Sequence, residues 1–288
     1  MLWQGRRQSS NIEDRRGISG KGLAVGGGFG SIVIAAIIYL LGGNPSQILN
    51  NNPTAAPAEQ SAAEKQVSDE TSQFVAVVLA DTEDIWSKLF SDMNKQYSDP
   101  TLVMFTQSTE SGCGFASEAT GPFYCPADSK VYIDLSFFQE MKNRFNASGD
   151  FAQAYVVAHE VGHHVQHLLG ITNQVDAQRR NLSETEMNKL SVKLELQADF
   201  FAGVWAHYEQ QKKDPQLSKD VIQPGDIEEA LNAANAIGDD RLQKQSQGYV
   251  VPDAFTHGTS TQRIYWFKKG YTTGDINQGD TFNDASLN

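Results

Sequence analysis

The stretch from Phe151 to Leu169 constrains this chain most, because it sets two imidazoles, His159 and His163, four residues apart among apolar neighbours. Residues four apart lie on one face of a helix. Ala152-Gln-Ala-Tyr-Val-Val-Ala158 supplies enough apolar surface to bury one side of such a helix. Asp150 offers a cap at its start, and Gly170 a stop at its end. The chain must therefore build a rigid, partly buried helix that aims both rings at one point.

Within that helix the run His159-Glu160-Val161-Gly162-His163 suits a metal. Both imidazoles can reach a single ion. Glu160, one residue on from His159, projects beside the ion and can accept the proton of a zinc-activated water. Zinc suits two imidazoles plus one carboxylate, with the fourth position left for water. His167 shares the face of His163, but each helical turn rises about 5.4 Å, so three ligands in a row cannot converge. His164 and His167 therefore read as ordinary polar positions near the helix C-terminus, where a cation suits the dipole. The metzincin third histidine would fall at position 169, which is Leu169, so that class is excluded.

Glu195 is the best third ligand, in Glu195-Leu-Gln-Ala-Asp199. Asp199 lies four residues on and shares its face. One carboxylate can bind the metal while the other takes the free ring N–H of a ligating histidine. Leu194, Leu196, Ala198, Phe200, Phe201 and Ala202 leave no water-facing stripe, so both carboxylates are expected to be buried and partnered. Glu184 and Glu186 are explained by a capping box that opens at Ser183. His257, in a loop before a short helix, is a candidate donor to a developing oxyanion; capping that helix or facing solvent are its alternatives. Arg263 either pairs with a carboxylate near the site or lies on a helix surface. Tyr155, one turn before His159, reads equally well as a packed tyrosine.

Of the 288 residues 40% are hydrophobic and 20% charged, enough for a sizeable core. The net charge of -12 argues against a nucleic-acid partner, which needs a basic face. Residues 1–22 are polar and basic, with Arg6, Arg7, Arg15, Arg16 and Lys21. Leu23 to Leu41 then runs without a charge, long enough at the helical rise to cross a hydrocarbon core of about 30 Å. A single transmembrane helix over 23–41 is the favoured reading, against a cleaved signal peptide or a buried core helix. The flanking arginines would put the N-terminus in the cytoplasm and the remainder on the periplasmic or extracellular side. Residues 42–71 read as a linker, 72–273 as the catalytic domain and 274–288 as a polar tail. In such a compartment Cys113 and Cys125 are expected to form a local disulfide; two reduced thiols are the alternative.

Periodicity predicts a helix over Gln73 to Tyr97, a strand over Leu102 to Thr106, a loop from Cys113 to Cys125 and a second strand over Val131 to Leu135. Ser136 is expected to cap a helix that runs to Phe145. Further helices are expected from Ser183 to about Gln211, after Pro224-Gly225-Asp226, and over Gln262 to Lys269.

The pairing of His-Glu-x-x-His with a downstream Glu-x-x-x-Asp resembles the gluzincins. The chain as a whole resembles the bacterial "putative neutral zinc metallopeptidase" family through Trp3-Gln-Gly-Arg-Arg7, Asp14-Arg-Arg-Gly17, His159 to Gln166, Glu195-Leu-Gln-Ala-Asp199 and His257-Gly-Thr-Ser-Thr-Gln-Arg263. The resemblance implies zinc, a zincin-like fold and hydrolysis of peptide bonds. By analogy with zincins, Val131 to Leu135 would be the edge strand that pairs with an extended substrate. The expected architecture is α+β, mostly helical with a small sheet, preceded by the membrane helix. The expected partners are a peptide or protein substrate and the membrane. Competing readings are a tethered scaffold with a structural zinc site, and a zinc amidase acting on a cell-wall amide.

Overall fold

The computed structural model describes residues 1–16, 62–117, 120–179 and 182–287. Its helices are α1 (Ala62–Asp92), α2 (Ser136–Phe145), α3 (Asp150–Leu168), α4 (Ile171–Arg179), α5 (Glu184–Glu209), α6 (Asp226–Ala236), α7 (Asp239–Gln247) and α8 (Ser260–Thr273). The strands are β1 (Ile12–Asp14), β2 (Thr101–Phe105), β3 (Ser108–Ser111), β4 (Gly114–Ser117), β5 (Phe123–Cys125) and β6 (Lys130–Asp134). The architecture is α+β, mostly helical with a small sheet, as expected.

The helix carrying the two histidines sits in the middle. α3 packs against α1, α5 and α6 and against β5 and β6. It is buried almost all round, through Phe151, Ala154, Tyr155, Val157, Val161 and Val165. A helix apolar on every side must be enclosed by other elements, and this enclosure gives the site a rigid base. Gly162 explains how closely α5 approaches. A Cβ at Gly162 would lie 2.9 Å from the Ala198 carbonyl oxygen and 3.1 Å from Ala198 Cα. Without a side chain there, α5 can bring Glu195 and Asp199 against the histidine face.

The main sheet has the order β1-β2-β6-β5. β1, β2 and β6 run parallel, and β5 runs antiparallel to β6. The strand predicted over Val131 to Leu135 is therefore interior, between β2 and β5, and not the edge strand. β5 is the edge on the cleft side. It falls in the stretch read as loop, as does β4, while β3 just before that stretch was not predicted. These strands are only three or four residues long, too short for alternation to show. Cys113 and Cys125 form a disulfide that joins the hairpin turn to the end of β5.

Several caps differ from expectation. α2 begins at Ser136 without a side-chain cap of its own, and Asp134 Oδ1 accepts from the Ser136 N–H at 2.9 Å instead. α3 begins at Asp150, and Glu229 from α6 accepts from the Phe151 N–H at 3.0 Å. α1 ends at Asp92, before the predicted Tyr97, because Asn94 turns left-handed with φ 57°. The Ser183–Glu186 capping box of α5 is present in both halves.

The membrane expectation does not hold. No helix among the described residues is long and apolar enough to cross a membrane. The run 23–41 itself lies outside the described residues, but its N-terminal flank does not. β1 pairs in register with β2, Ile12 opposite Leu102. Trp3 packs edge-on against Phe74, with ring centroids 5.6 Å apart. Arg6 reaches Asp81 at 2.7 Å and Glu209 at 3.0 Å, and Arg7 reaches Glu83 at 3.1 Å. Residues 1–16 are thus built into the same body as α1 and α5. A single crossing would separate them, so a cytoplasmic N-terminus with an external domain is ruled out. The arginines that looked like topology signals are ion-pair partners.

At the other end, the polar residues after Gly274 pack on the domain. The Thr281 hydroxyl is buried and donates to the Lys193 carbonyl at 2.6 Å.

Candidate metal centre

His159, His163 and Glu195 meet at one point, their candidate ligand atoms all within 4.8 Å of one another. His159 Nε2 lies 3.1 Å from Glu195 Oε2, and His163 Nε2 lies 3.4 Å from Glu195 Oε1. Zinc bonds of about 2.0–2.1 Å in a tetrahedron put neighbouring ligand atoms about 3.3 Å apart, so little movement is needed to close around an ion.

The second ring nitrogens are occupied. His159 Nδ1 donates to Asp199 Oδ1 at 2.8 Å. His163 Nδ1 donates to the side-chain oxygen of Gln166 at 2.9 Å. Both acceptors hold a proton on Nδ1 and leave each Nε2 facing Glu195 as the atom that would bind a metal. Gln166 is fully buried and is itself held, donating to the Leu194 carbonyl at 2.6 Å and to Gln197 at 3.1 Å. Sequence reasoning named Gln166 only as the end of the motif His159 to Gln166 and gave it no role, although its place three residues after His163 puts it within reach on the helix.

Behind His159 stands a buried charged pair. Arg263 contacts Asp199 through Nε at 2.8 Å and Nη2 at 3.0 Å, and its Nη2 also donates to Tyr155 at 3.1 Å. Arg263 is 2% exposed and Asp199 0%. Arg263 is therefore an inner member of the site, not a helix-surface residue, and Tyr155 is bonded to Asp199. Burial opposes ionisation of Asp199, but Arg263 and His159 outweigh it and hold its carboxyl down at about 2.

The electrostatics favour a cation. With neutral imidazoles, the carboxylates of Glu160, Glu195 and Asp199 stand against the guanidinium of Arg263, which leaves two negative charges, the complement of a divalent ion. Burial pulls the His159 pKa down, yet Asp199 and Glu195 push it up to about 10. Burial likewise raises the Glu160 carboxyl above its ordinary value, in part offset by His159 and His163. The donor set, its spacing and its charge all fit zinc.

Glu160, both histidines and Glu195 line a cleft of about 1200 Å³. Phe123 and Tyr124 of β5 line it too, as does His257. Asp239 fixes His257: its Oδ2 accepts from the backbone N–H of Thr256 and of His257, at 2.7 and 2.6 Å, and its Oδ1 lies 3.3 Å from His257 Nδ1. Nε2 is left for the cleft. The His257 side chain is half exposed; partial desolvation in the cleft opposes its protonation, but Glu195 and Asp239 outweigh it and raise its pKa. Asp239 was not legible, because it lies at the start of a helix that no local signal announced. His164 and His167 are not free polar positions either. His164 is 1% exposed, and both rings contact the Tyr124 hydroxyl.

Over 292 aligned residues the chain is 51% identical to "Uncharacterized protein YpfJ" of Escherichia coli K12, covering 98% of this chain and 99% of that one. It is 38% identical over 257 residues to "Uncharacterized protein Rv2575" of Mycobacterium tuberculosis H37Rv, covering 86% of each. No solved structure matches. Residues 1–282 match the family described as "Putative neutral zinc metallopeptidase", from the N-terminal arginines through the His-Glu-x-x-His helix to Arg263 and beyond. The chain belongs to that family.

Proposed function

We propose that this protein is a zinc-dependent peptidase with Glu160 as general base. The observation that carries the reading is the convergence of His159, His163 and Glu195 in an open cleft with the carboxylate of Glu160 beside them. Zinc held there would polarise a scissile carbonyl and lower the pKa of a water towards about 7.

Glu160 is suited to take the proton of the attacking water and pass it to the leaving amine. Its raised pKa brings proton donor and acceptor closer in strength, which favours transfer in both directions. His257, oriented by Asp239, would donate through Nε2 to the oxygen of the tetrahedral intermediate. β5, paired only with β6 among the described residues, offers its other edge to an extended peptide in the cleft. A purely structural zinc site has no use for a buried carboxylate that sits beside the ligands.

The test is Glu160→Gln, assayed on denatured protein and on cell-wall fragments. The expected result is one bound zinc per chain in both forms and peptide cleavage in the wild type alone. Zinc binding without cleavage in either form would favour the structural-site reading. Release of cell-wall amides with no peptide cleavage would favour the amidase.

A further inference from the structure

We propose that Tyr124, His164 and His167 form a tie that sets the separation between the cleft's edge strand and the histidine-bearing helix, and so act as positioning residues for an extended substrate. The proposal rests on the peptidase reading.

The tie has a single direction. His164 Nε2 lies 2.7 Å from the Ser98 carbonyl, which can only accept, so Nε2 carries the proton. His164 Nδ1 is then an acceptor, and the Tyr124 hydroxyl donates to it at 3.0 Å. The same hydroxyl oxygen accepts from His167 Nδ1 at 2.7 Å. Every donor in the chain from His167 to Tyr124 to His164 to Ser98 thus has one acceptor. The His164 ring is further wedged between Tyr97 and Tyr124, with centroids 5.6 and 5.3 Å away.

The strand needs such support. β5 has three residues and one pairing partner, β6. Side chains of a strand alternate between faces. On one face Phe123 stacks on Tyr132 at 4.9 Å, and Cys125 closes the disulfide. On the other, Tyr124 reaches α3 through its hydroxyl. Stability by itself would be served at least as well by an apolar side chain at this interface. A directed polar chain fixes a distance instead. That distance is the one between the strand that would pair with a substrate backbone and the turn that carries His163.

The test uses the zinc-loaded full-length protein. Tyr124→Phe keeps the ring and removes the hydroxyl. We expect its KM for a long peptide to rise about tenfold, with kcat and zinc content unchanged, since a hydrogen bond is lost and two imidazole nitrogens are stranded. Cleavage of a blocked dipeptide, too short to lie along β5, should not change. Amide exchange over Phe123 to Cys125 should quicken. His167→Ala should behave as Tyr124→Phe does, while His167→Asn, which keeps a donor near the Nδ1 position, should restore KM and exchange. Unchanged KM and exchange in Tyr124→Phe would overturn the tie. So would an equal loss of activity on both substrates, which would mark general damage to the site. A wild type that cleaves no peptide fails the peptidase reading, and the exchange comparison then decides the tie alone.

Discussion

Asp199→Asn separates what the buried carboxylate does for the metal from what it does for the fold. Asp199 is wholly buried and receives His159 Nδ1, Tyr155 and two guanidinium nitrogens. Neutralising it leaves Arg263, 2% exposed, as an uncompensated charge. Breaking a buried pair in this way costs about 3–5 kcal/mol. For a domain of this size that lowers the melting temperature by roughly 6–20 °C. The second effect is on zinc. His159 loses the acceptor that fixes its tautomer, which weakens metal binding about 10–100-fold. The double variant Asp199→Asn/Arg263→Met removes both charges and should recover most of the melting temperature but none of the zinc affinity. Calorimetry of the metal-stripped protein reads the first quantity, and competition with a chromophoric chelator reads the second. The reasoning is refuted if the folded Asp199→Asn protein binds zinc as tightly as wild type, or if the double variant regains zinc affinity along with stability.

Three further outcomes are expected. His257→Phe and Asp239→Asn should each lower kcat about 10²–10³-fold while zinc content, measured by atomic absorption, stays at one per chain. Arg6→Ala leaves Asp81 and the fully buried Glu209 to share Lys212, 3.1 Å from each, and should cost about 1–3 kcal/mol in urea unfolding, whereas Lys88→Ala, which breaks an exposed pair, should cost less than about 1 kcal/mol. Burial pushes His164 down to about 4 from 6.5, so the unfolded chain binds that proton first. The contribution is complete above pH 6.5 and is lost as pH falls towards 4; about 2 kcal/mol should be gone by pH 5, and His164→Asn should flatten that dependence.

Much of the site could be read from the sequence because its signals are local. His159 and His163 are one turn apart, Glu195 and Asp199 are one turn apart, and apolar neighbours announced that both pairs would be buried. The partners that complete the site are remote. Arg263 lies 64 residues from Asp199, and Ser98 lies 66 from His164. No periodicity reports such pairings. The N-terminal arginines show the same limit more sharply. Beside an uncharged run, a basic cluster fits the membrane rule, and only Asp81 and Glu209, far along the chain, reveal it as half of an ion-pair network. The edge strand was misplaced for a related reason: β5 is fixed by a disulfide, a ring stack and two histidines, not by its own three residues.

The docking of β1 has a consequence for biogenesis. Its pairing strand begins at Thr101, and the Glu209 carboxylate that receives Arg6 is 203 residues away. At a synthesis rate of about 5–20 residues per second, Arg6 waits at least roughly 10 s for that partner to be made. Part of this seat is thus completed long after the segment that fills it is made, and for as long as β1 is undocked β2 keeps a bare flank open to any other extended chain.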